Sequence, residues 1–170
     1  MIQSVPFGAH EYNIMLGALI FGRGMDLLST WVATPNLMLE ANPIARRLGW
    51  KWGGVVNVML CGSVAFFPLA GVVVVTTSLL VAARNFKTAW LMRAMGEERY
   101  LVFMMNQMRG TDRRLYVFCL FAESILVAMV GITVAYYSRI PSIPLGVGAG
   151  IVAYAIAVVF YSCLSLWRSR

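Results

Sequence analysis

The chain has 170 residues, of which 60% are hydrophobic and 12% charged, and its mean hydropathy is +0.75. Soluble domains carry about a quarter of their residues as Asp, Glu, Lys and Arg, so this composition excludes a solvated globular surface and marks an integral membrane protein. Fourteen Lys and Arg against seven Asp and Glu leave a net charge of +7; the basic residues flank apolar runs, which fits topology and lipid contact and argues against nucleic acid as a partner.

A bilayer core of about 30 Å takes roughly 20 helical residues. The first run of that length reads from about Glu11 to Val32. It is preceded by a stretch without Lys or Arg and interrupted by Arg23 and Asp26, which argues against a cleavable signal peptide. Ala18, Gly22, Asp26 and Thr30 recur every four residues with Ser29 beside them, a small and polar stripe suited to packing against protein. His10 stands alone with Glu11 at the start of this run, and Cys61, Cys119 and Cys163 lie singly in apolar segments, so neither a metal site nor a disulfide framework is expected.

The connection from Ala33 to Trp52 contains Glu40-Ala41-Asn42-Pro43. Asn42 suits a helix N-cap and Pro43 a first helical position, so a short helix is expected from Pro43 to Leu48, ended by Gly49. Glu40 can occupy its N-terminus or share it with an anion; a capped turn pinning two spans is favoured over a binding role.

A second run, Gly53 to Ala83, has 31 residues and is too long for one straight crossing, so it should tilt, kink near Pro68 or project into water. The segment from Arg84 to Arg114 mixes cations with Phe86, Trp90 and the methionines Met92, Met95, Met104, Met105 and Met108. It reads as a pair of short interfacial helices divided near Gly96, with the methionines as an adaptable apolar surface rather than a Cu(I) site. The third run spans Leu115 to Tyr137 and the fourth Leu145 to Trp167. Ser138 to Pro144 forms a tight reversal between them, and Gly146 and Gly150 open a small-residue stripe continued by Ala153.

The sequence thus predicts an all-α integral membrane bundle of four transmembrane helices, a single domain over residues 1–170 with an inner-surface loop at 84–114. Nine basic residues in the central loop and tail against four elsewhere place both termini in the cytoplasm, as in a prokaryotic inner membrane. Trp31, Trp50 and Trp52 then mark the outer interface, and Trp90 and Trp167 the inner one.

Arg23, Asp26, Asn57 and Glu123 fall inside apolar runs, where an ionised group costs about 3 kcal/mol. At 1.5 Å per residue, Arg23 lies roughly 18 Å from the inner end, Asp26 about 22 Å and Glu123 about 12 Å, with Asn57 about 6 Å from the outer end. A cluster in which Arg23 pairs with both acids and Asn57 bonds Asp26 buries all of them; it reads equally as a structural clamp or as a protonatable site.

Asp26-Leu27-Leu28-Ser29-Thr30 followed by Glu40-Ala41-Asn42-Pro43 resembles a signature of small multi-pass prokaryotic membrane proteins grouped as a domain of unknown function, over about residues 15–85. The resemblance implies that Asp26, Thr30, Glu40, Asn42 and Pro43 are signature positions, and it implies no activity. The expected function is a non-catalytic structural or accessory subunit of a larger membrane assembly, without cofactor or metal, in contact with anionic lipid and other membrane subunits. The alternative is a small-molecule or ion transporter, or a membrane enzyme, built on Arg23, Asp26 and Glu123.

Overall fold

A computed structural model describes residues 4–138 and 142–168. Six helices follow one another: α1 (His10–Ala33), α2 (Pro43–Val64), α3 (Pro68–Met95), α4 (Glu97–Gly110), α5 (Arg113–Tyr136) and α6 (Ile143–Arg168). Their boundaries follow local chemistry. Asn42 caps α2, accepting hydrogen bonds from the amides of Ile44 (3.0 Å) and Ala45 (3.5 Å), with Pro43 at the first helical position. Gly49 (φ 65°, ψ −174°) is non-helical, so α2 consists of a short first stretch before it, as expected, joined across a kink to a second stretch in the apolar run. Gly96 (φ 78°) separates α3 from α4.

The four-span expectation is overturned. Among the described residues, three helices are long and apolar enough to cross a membrane: Pro68–Met95, Arg113–Tyr136 and Ile143–Ser165. They make this a membrane-embedded protein. α1 falls short because Arg23 and Asp26 stand mid-helix among Ser29 and Thr30. The 31-residue second run is no single span: the chain reverses at Phe66 and Phe67, Pro68 starts α3, and the residues before the turn belong to α2.

That reversal sets the topology. The Val5 amide donates to the Phe66 carbonyl, the Tyr12 hydroxyl to the Gly62 carbonyl and the Trp50 indole to the Pro35 carbonyl, so α2 runs antiparallel to α1. Gly22 lies against Val75, Asn85 bonds Ser29, and Thr34 bonds Glu97, so α1 and α3 are parallel rather than antiparallel. The connection after α1 and the start of α4 therefore share one end of the molecule, although the charge count had separated them. Every Lys and Arg of the described residues except Arg23 belongs to that end, as do all five Trp, with the Arg93 guanidinium 5.5 Å from the centroid of the Trp31 ring. His10 and the end of α6 lie at opposite ends.

The helices stand in a row, in the order α2, α1, α3, α6, α5, each packed chiefly on its neighbours. Small residues set the spacing. A Cβ on Gly148 would fall 2.6 Å from the Gly131 carbonyl oxygen and 2.7 Å from the Ala135 nitrogen, which fixes close backbone approach of α5 and α6. On the opposite flank of α6, a Cβ on Gly146 would meet Val72 at 2.8 Å and one on Gly150 would meet Thr76 at 2.7 Å. Ala153 is half-buried on the same helix. The row is open: it exposes 11243 Å², whereas a compact soluble monomer of 18.8 kDa exposes about 8,300 Å².

Candidate functional site

The intramembrane polar groups form a ladder between α1, α2 and α3. The Arg23 guanidinium donates from Nε to Asn57 Oδ1 at 2.6 Å and from Nη1 to Asp26 Oδ2 at 2.8 Å and Ser78 Oγ at 3.2 Å. Asn57 in turn donates to the Gly53 carbonyl at 2.7 Å. One turn along α1, Ser29 donates to the Asp26 carbonyl, and the Asn85 amide reaches Ser29 Oγ at 3.2 Å and Thr30 Oγ1 at 3.3 Å. Ser29 and Ser78 are fully buried. Arginine suits the centre of such a ladder because its planar fork donates to several acceptors while staying charged.

The expected cluster is thus present in part and corrected in two places. Asn57 bonds Arg23, not Asp26. Glu123 does not join: it is exposed on α5, which packs on α6 and is separated from α1 by two helices. Depth along a helix axis placed Glu123 near Arg23, but the order of helices in the row keeps them apart. Gly22 lies where it was expected to pack, and a Cβ there would touch Val75 at 3.4 Å.

The Glu40-Asn42-Pro43 motif closes upon itself. Glu40 Oε1 accepts from the Asn42 amide at 2.8 Å while Asn42 caps α2, so the carboxylate fixes the entry to the helix instead of facing its first-turn amides. Leu37 just before it has φ 56°, a left-handed backbone held by the bond of its amide to the Thr34 carbonyl.

A second polar site escaped the sequence reading. Glu97, at the start of α4, is buried and receives the Thr34 hydroxyl at 2.5 Å, the Asn36 amide at 2.8 Å, the Asn36 side chain at 3.0 Å and the Met38 amide at 3.0 Å. Thr34 Oγ1 also accepts from the Leu39 amide at 3.1 Å. One carboxylate thereby organises the turn that follows α1 and fastens it to α4. A cleft of about 180 Å³ beside it is lined by Ala33, Pro35, Asn36, Met92, Arg93 and Gly96. In the sequence Glu97 looked like an ordinary first-turn helix acid; its partners lie about sixty residues away, and only the parallel course of α1 and α3 brings them to it.

Burial opposes ionisation of Glu97, but the Thr34 hydroxyl, the Asn36 and Met38 amides and the Asn36 side chain outweigh it and hold the carboxyl below its usual range. A carboxylate with a depressed pKa stabilises the fold above the unfolded-state value and loses that contribution as pH falls through the folded one. Thermal unfolding in detergent should therefore show a loss of stability beginning below about pH 4.5, the ordinary value for this group. In Glu97→Gln that acid step should shrink; an identical acid profile for both proteins contradicts the assignment.

Comparison of the chain with protein families, with characterised proteins and with solved structures finds no match.

Proposed function

We propose that this protein is a non-catalytic accessory subunit of a larger membrane assembly, set in a prokaryotic inner membrane with its basic end in the cytoplasm. The open single row of helices carries the reading: it exposes more surface than a compact fold of its mass, and large apolar side chains stand exposed on each of its five helices, which need lipid or other helices against them. The polar groups support it as well. Arg23, Asp26, Asn57 and Ser78 spend their hydrogen bonds on one another across three helices, which is the behaviour of a clamp. The transporter or enzyme reading needed Glu123 beside Arg23, and α5 carries it elsewhere.

α1 lies along α3 through the level of Val75 and Ser78, and α2 returns the chain to the start of α3. The clamp neutralises the charge that keeps α1 from being apolar enough alone. The end rich in Arg and Trp faces inward, where α4 meets anionic headgroups with Arg99 and Arg109. His10 is then outside and the end of α6 inside, in place of two cytoplasmic termini.

Blue-native electrophoresis of gently solubilised membranes tests the assembly. The protein should migrate in a complex several times its own mass; migration solely as a small monomer overturns the proposal.

A further inference from the structure

α5 closes one side of the row. It meets α6 through Leu120, Ser124 and Gly131, all buried, and turns its other face outward. Cys119, Glu123, Leu126 and Val130, at spacings of three and four, share one exposed stripe of that face. Glu123 is ten residues into α5, about 15 Å from its start, and so deep in the hydrocarbon of an apolar span. Among the described residues no ion pair or hydrogen bond reaches it; the ion pair present is Arg23 with Asp26. A carboxylate at that depth costs about 3 kcal/mol, and its short side chain cannot snorkel to the headgroups as Lys and Arg do.

We infer that the outer stripe of α5 docks a transmembrane helix of a different membrane protein, one that presents a Lys, Arg or His at the level of Glu123. The inference rests on the subunit reading above and names the edge and the chemistry of the contact. Charge complementarity selects the occupant. A symmetric second copy would set Glu123 against Glu123, a like-charge contact. Head-to-tail packing on the far edge of the row would meet Val55, Val58 and Met59 of α2 at that depth, which offer the carboxylate no donor. A helix with one buried base neutralises Glu123, while the apolar residues above and below supply packing.

The test uses the full chain in its own membranes, with a photo-crosslinking residue at Leu126 or Val130 and a control at Ile20 on α1. Crosslinks from α5 to a membrane protein with a basic residue in the captured segment are expected. Glu123→Lys should reduce their yield by an order of magnitude or more, Glu123→Gln should weaken them while leaving the chain folded, and exchange of the partner's base for Glu should restore the Lys variant. Crosslinks only between copies of this chain, capture of a segment without a base, insensitivity to Glu123→Lys, or no crosslink at α5 each overturn the inference. If the α5 crosslink is absent while the native complex persists on electrophoresis, the edge is wrong and the subunit reading stands; loss of both removes both.

Discussion

Arg23→Met is expected to cost about 3 kcal/mol, the low end of the penalty for breaking a buried ion pair, since this pair is half-buried between helices. Asp26 would lose the guanidinium 2.8 Å from its carboxyl group, and Asn57 and Ser78 would each lose a donor. The loss reaches three helices at once, because Arg23 ties α1 to both α2 and α3. The double variant Arg23→Met, Asp26→Leu removes the orphaned carboxyl group as well and should recover much of the stability. Equilibrium unfolding in mild detergent measures both. A cost below about 1 kcal/mol for the single variant, the range of an exposed pair, would show that solvent already reaches the cluster.

Glu97→Ala is the second large effect. It strands the Thr34 hydroxyl and the Asn36 and Met38 amides, at about 1–3 kcal/mol for each buried donor left without an acceptor. The damage should be local, because the turn between α1 and α2 hangs on this carboxylate while the ladder along α1 does not. Hydrogen exchange should show the Asn36 and Met38 amides losing protection, with Leu19 to Ser29 unchanged. Thr34→Val, which removes one donor and leaves the carboxylate with the amides of Asn36 and Met38, should cost less, about 1 kcal/mol. Equal exchange of the two amides in wild type and Glu97→Ala contradicts the latch.

Much of the local structure was legible in the residues. Asn42-Pro43 marked the start of α2, Pro68 marked a break and Gly96 a boundary, each through a backbone preference that neighbours do not override. The Arg23–Asp26 pair followed from three-residue spacing on a helix. What the residues did not disclose was direction. From Gly53 to Ala83 the chain is apolar almost throughout, so hydropathy merges the end of α2 with the first half of α3 and reads a hairpin as one tilted span. α2 completes its length with Pro43 to Trp52, where Arg46, Arg47 and Lys51 disguise the start of a helix that runs back along α1. One reversal missed in this way inverts the course of α3 relative to α1. It also hides Ser78, Asn85 and Glu97 as partners of α1, since all three become neighbours only when the two helices run parallel.

Glu123 illustrates a separate limit. Counting residues gives the depth of a side chain but not which neighbour it faces, and helices next to each other in sequence need not touch. α5 follows α4 in the chain yet packs on α6, so the acid assigned to the clamp stands two helices away from it.

The course of the chain across the bilayer is tested most directly by labelling single cysteines in intact cells with a membrane-impermeant maleimide, after Cys61, Cys119 and Cys163 are replaced by Ala. Phe7→Cys, Ala41→Cys and Thr111→Cys sample the start of α1, the connection before α2 and the turn after α4, all exposed. With the basic end in the cytoplasm, Phe7→Cys should label at once, and Ala41→Cys and Thr111→Cys only after the cells are opened. Labelling of one of Ala41→Cys and Thr111→Cys from outside while the other stays protected would contradict the parallel course of α1 and α3 and the shared face on which Glu97 joins the two connections.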